Sequence, residues 1–149
     1  MYKGLLDLHN VLRWVILLLL LVAIVQSFSA KKNTTGGGLR KTSLFLLIAA
    51  HIQFLIGLYQ WLTGPWGYAL IKDNGMSVVM KNATYRFFAI EHMVGMLIAT
   101  ILITIARGKV KRLSFGAASW LYLIALILIL AVIPWPFREA VARPWFPGM

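Results

Sequence analysis

Four long apolar runs, separated by short polar or basic segments, set the pattern of this chain. The first predicts a helix from about Leu5 to Phe28, and from Val15 to Val25 it is Leu, Ile and Val throughout, apart from Ala23. The second covers about Ser43 to Leu62 and stops at Thr63-Gly64-Pro65, where glycine and proline end a helix. The third covers about Phe87 to Ala106, and the fourth about Ala117 to Ile133, stopped by Pro134-Trp135-Pro136. Each run holds about 17–25 residues, enough to cross a hydrocarbon core of roughly 30 Å. Four short-linked runs predict an all-α, integral-membrane, up-down-up-down four-helix bundle in a single transmembrane domain, followed by a tail from Pro134 to Met149.

Composition agrees. The chain is 60% hydrophobic, with a mean hydropathy of +0.81. Its net charge of +11 rests on 15 basic and 4 acidic residues. In a soluble protein that excess suggests nucleic acid; here the cations sit in loops between apolar runs, which points to a lipid surface instead. Cysteine is absent, which excludes disulfides, iron–sulfur ligation and covalent c-type haem attachment. Lys3 precedes an apolar run, but Gln26-Ser27-Phe28-Ser29-Ala30 is a poor cleavage site, so a retained first helix is expected rather than a removed signal peptide.

The charges also predict an orientation. Lys31, Lys32, Arg40 and Lys41 lie in the first connection, and Arg107, Lys109, Lys111 and Arg112 in the third, without an acid in either. Those loops are expected in the cytoplasm, with both termini and the 66–85 loop outside. Trp61, Trp66, Tyr68, Tyr85, Trp135 and Trp145 then form an aromatic belt at the outer interface. The aromatic tail is expected to lie along that surface and cap the bundle.

Ionisable residues inside spans are costly and mark candidate sites. His9 lies about four residues into the first span and His92 about five into the third, so both fall roughly 6–8 Å below the same boundary. His51, on the second span, lies on the order of 10 Å from the level of His92 and ranks lower as a ligand. Spans one and three are diagonal in a simple bundle, so the two imidazoles can converge on its axis and hold a haem iron. Arg13, one turn beyond His9, with Arg86 and Arg138, could clamp its propionates. Gly57 and Gly95 would allow a close approach of the macrocycle or tight helix packing. Simpler readings stand beside this. His51 can bond a neighbouring helix, with Gln53 or Gln60 near it. His9 can be an interfacial residue. Glu91 can form a buried ion pair with Arg13 or Arg86. Met93 and Met96 beside His92 would suit copper, and Asp7, His9, Glu91 and His92 would suit zinc.

The segments Leu8-His9-Asn10-Val11-Leu12-Arg13-Trp14, Arg86-Phe87-Phe88-Ala89-Ile90-Glu91-His92 and Pro134-Trp135-Pro136-Phe137-Arg138-Glu139 resemble those of small bacterial four-span proteins of the cytochrome b-like type. The arrangement is also similar to one half of a haem A synthase, whose four-helix halves each hold a b-type haem between histidines of two parallel helices. The resemblance implies that His9 and His92 are haem b ligands. It does not extend to synthase activity, because a second bundle and the paired cysteines of some of those enzymes are missing from the sequence.

The expected function is therefore a small electron-transfer or haem-handling subunit, with quinol or a respiratory complex as partner. The alternatives are a cofactor-free accessory or assembly subunit and a metal or proton pathway. An independent enzyme is the least supported reading, since no nucleophile–base set or phosphate loop is present. Small residues on the helices would allow a homo-oligomer.

Overall fold

The computed structural model describes residues 2–30 and 35–148. Lys31, Lys32, Asn33 and Thr34, half of the basic first connection, lie outside the described residues. Four long helices dominate: α1 (Tyr2–Ser29), α2 (Gly37–Thr63), α6 (His92–Lys111) and α7 (Phe115–Val132). The first two extend beyond the predicted spans at both ends. Among the described residues there is no strand.

The 66–85 segment, expected as a loop, is helical. It folds into α3 (Tyr68–Asn74), α4 (Met76–Lys81) and α5 (Ala83–Arg86). Gly75, at φ 80°, makes the turn between α3 and α4 that a side chain would strain. The Asn82 side chain accepts from the Tyr85 N–H at 3.0 Å and caps α5. A π-helical turn, Phe87–Glu91, then joins α5 to α6.

Helix α1 packs on α2 and α7, and α6 packs on the same two, so α1 and α6 are diagonal. The main core runs through Leu20, Leu46, Ile103 and Tyr122, with Ala23, Ala50, Ala99, Ala106, Ala118 and Ala125 where helices approach closely. Small residues at helix contacts are what packing in lipid favours. A second, smaller core of Leu70, Val79 and Ala89 lies under the short helices.

The outward faces are as apolar as the core. Val25 is 65% exposed, Leu55 62% and Ile127 60%. Four helical stretches are long and apolar enough to cross a membrane. An apolar exterior on helices of that length is what a bilayer accommodates and water does not. The chain has the character of a multi-pass membrane protein.

Candidate functional site

The site begins with the end of α7. A helix leaves its last carbonyls without N–H partners, and here Pro134 and Pro136 remove two N–H groups that could have served. Side chains take their place. Trp135 Nε1 donates to the Leu130 carbonyl at 2.8 Å, and Arg138 Nη1 to that of Ala131 at 2.9 Å. His92 Nδ1 donates to the Val132 carbonyl at 2.7 Å. Arg138 Nη1 also reaches the Ile133 carbonyl at 3.3 Å.

Because a carbonyl can only accept, this bond fixes the His92 tautomer. Nδ1 carries the proton, and Nε2 presents a lone pair. Such a bond from the far nitrogen to a backbone carbonyl is the usual support of a metal-binding imidazole. Two features set the ring in place. The π-helical turn closes with the His92 N–H on the Phe87 carbonyl and delivers the residue to the bundle axis. Gly95, one turn further, admits Val132, since a Cβ there would lie 2.7 Å from Val132 Cγ1.

His9 approaches from α1. Its ring rests on Gly57 of α2, where a Cβ would lie 3.1 Å from His9 Cε1. Gln53 Nε2 donates to the His9 backbone carbonyl at 2.8 Å. His9 Nδ1 is buried without a hydrogen-bond partner, as is Gln53 Oε1.

The two imidazoles meet across the diagonal, with ring centroids 6.4 Å apart and planes at 62°. With a metal–nitrogen bond of about 2 Å on each side, two imidazoles in trans on one ion have centroids about 6–6.5 Å apart. The spacing matches that of two imidazoles sharing one ion, and it is equally the spacing of an edge-on ring contact.

The arginines named from the sequence gather at this end of the bundle but are engaged with protein groups. Arg13 Nη2 donates to the carbonyls of Trp145 at 2.7 Å and Pro144 at 3.4 Å, fastening the tail. Arg86 pairs with Glu91 at 2.6 Å and donates to the Met80 carbonyl. That ion pair is half exposed, not buried. Arg138 closes α7 and lies 4.8 Å over the Phe87 ring, which in turn sits 6.0 Å from His92. Arg86, Phe87, Glu91 and Arg138 line a recess of about 310 Å³ that neither His9 nor His92 lines.

The other candidates separate. His51 is exposed, away from the pair, and its Nδ1 donates to the Leu47 carbonyl of its own helix at 2.8 Å, so it bonds neither Gln53 nor Gln60. Glu91 is held by Arg86, and among the described residues no three His, Asp or Glu side chains gather as a metal group, so the four-residue zinc set is not assembled. Met96 packs against the main core.

The tail folds back on α1. Trp14 Nε1 donates to the Trp145 carbonyl at 3.0 Å, and the Trp14 ring stacks on Trp145 and Phe146 at 5.9 and 5.6 Å. Arg143 lies over Phe88 at 4.5 Å, and burial lowers its pKa, partly offset by Tyr2.

Sequence reasoning missed Val132, Phe87 and Gln53. The Pro-x-Pro pair gave a signal for Val132, since it strands carbonyls that a polar side chain must reach. Comparison with protein-family models, curated proteins and solved structures finds no match.

Proposed function

We propose that the chain is a b-type haem protein of the membrane, with His9 and His92 as axial ligands, serving as a small electron-transfer or haem-handling subunit. The observation that carries this reading is the close, edge-on imidazole pair, with centroids 6.4 Å apart and the His92 tautomer fixed by Val132. Haem supplies one-electron chemistry when bound. His92 offers Nε2 because Val132 holds Nδ1–H. His9 is seated by Gly57 and tethered through its carbonyl by Gln53. Phe87 shields one side of the pair, and Arg138 sits over Phe87. His9 and His92 would hold the haem, which would supply one-electron transfer there.

The same reading gives the helices alternating directions, with the basic connections in the cytoplasm and the histidine end facing outward in a bacterial inner membrane. The outer recess and aromatic cap are then where a quinol or a respiratory partner would approach.

The test is the absorbance spectrum of detergent-purified protein before and after dithionite. A Soret band with sharp α and β bands on reduction is expected. It should be lost in His9→Ala and His92→Ala and kept in His51→Ala. Haem retained in both of the first two variants, or a featureless spectrum despite added haemin during expression, would reject the ligand assignment and favour an accessory subunit.

A further inference from the structure

The end of the bundle opposite the histidines gathers cations without counter-ions. Arg40 and Lys41 open α2, Arg107, Lys109 and Lys111 close α6, and Arg112 follows. The chain's four acids, Asp7, Asp73, Glu91 and Glu139, all lie elsewhere. The one ion pair among the described residues, Arg86 with Glu91, is beside His92.

Arg40 and Arg107 meet where α2 packs on α6, at the level of the Lys111 backbone. Arg40 Nη2 donates to the Lys111 carbonyl at 3.2 Å. Arg107 Nη1 donates to Ser43 Oγ at 3.1 Å, and Ser43 Oγ donates to the Arg40 carbonyl at 3.0 Å. Ser43 is fully buried, so one edge of the Arg107 guanidinium is drawn into the seam. Arg107 and Lys111 are one turn apart on the same face of α6. From α7, the fully buried Tyr122 brings its hydroxyl beside Ser43 and Arg107 without reaching hydrogen-bond geometry to either. Like charges held together repel, and a partly desolvated guanidinium calls for an anion. No acid of the chain supplies it.

We infer that this seam binds the phosphate of an anionic lipid. Arg107 and Arg40 supply guanidinium donors, which match phosphate oxygens in pairs, and Lys111 adds a third positive charge. The exposed Leu44 and Ile48, one and two turns along α2 from Arg40, provide an apolar bed for the acyl chain. Phosphate chemistry alone would also suit a soluble phosphate. The apolar bed, and the position of the cations at the ends of membrane-length helices, commit the site to a lipid.

The test is native mass spectrometry of delipidated full-length protein with phosphatidylglycerol or phosphatidylcholine of matched chains. One phosphatidylglycerol should bind in preference to phosphatidylcholine. Arg107→Gln and the surface variant Arg40→Gln should each weaken it about tenfold. Lys109→Gln, which removes a charge from another face of α6, should bind like the parent, and Arg107→Lys should recover part of the affinity. Equal affinity for the two lipids, or an equal loss in Lys109→Gln, would reduce the effect to general surface charge and overturn the proposal. Displacement of the bound lipid by inorganic phosphate would reassign the seam to a soluble anion and overturn it as well. Because Arg40 is exposed, its variant reports on the site even if Arg107→Gln does not fold.

Discussion

The imidazole of His92 takes the place of a backbone N–H at the end of α7, donating from Nδ1 to the Val132 carbonyl at 2.7 Å. Pro136 sits four residues on, where a helical partner would otherwise have donated. Removing the ring therefore strands a carbonyl. His92→Ala should lose about 1–3 kcal/mol of stability in the haem-free protein. Pro136→Ala restores an N–H, so His92→Ala with Pro136→Ala should lose less than the sum of the two single variants. Thermal unfolding in detergent measures all three, and strict additivity would show that an N–H at position 136 does not take over the Val132 carbonyl.

Gly95 allows the approach that makes this bond. A methyl group at Gly95 would fall 2.7 Å from Val132 Cγ1, closer than packed carbons sit. Gly95→Ala should destabilise the bundle by about 1–3 kcal/mol through overpacking. Gly4→Ala, with open space around it, should not destabilise it. The difference in Tm between the two variants checks the point.

Gly57 is a subtler case. A Cβ there would press on His9 Cε1 at 3.1 Å, a contact that a small rotation of the ring relieves. Gly57→Ala also gains helix propensity, so its stability should stay within about 1 kcal/mol of the parent. The cost should appear instead in haem content and in the reduced spectrum, because the ring that turns is the proposed ligand. Unchanged haem content and an unchanged spectrum would show that His9 does not ligate from this position.

The tail is held by few contacts, but good ones. Deleting residues 144–149 removes the acceptors of Arg13 Nη2 and Trp14 Nε1, and two aromatic partners of Trp14. The expected loss is about 2–4 kcal/mol. It would be seen as a lower Tm and a shift in tryptophan emission. A shortened chain with the parental Tm would mean that the tail merely rests on α1.

The four spans were legible because each is a long run of Leu, Ile and Val ended by glycine, proline or a basic cluster. The closeness of His9 to His92 follows from equal depth together with the diagonal placement of their spans, since helical rise converts residue counts into level. What the pattern could not supply was rotation. His51 falls on the outward face of α2 because α2 turns Gln53 and Gly57 towards α1, and a stretch apolar on every side carries no phase. The short helices between Tyr68 and Arg86 were hidden for another reason. Their apolar residues pack in a small local core, and helices of four to seven residues show little periodicity. The Arg86–Glu91 pair is among the sequence expectations, whereas the backbone carbonyls that hold Arg86 and Arg138 leave no mark in sequence.

The π-helical turn at Phe87–Glu91 has a consequence for how this chain tolerates change. Such a turn holds one residue more than the α-helical path it replaces, and each residue turns a helix by about 100°. Deleting one residue there would leave a smooth, well-formed helix and swing His92 away from the bundle axis. On the approach to His92 it is phase, more than composition, that the chain must keep.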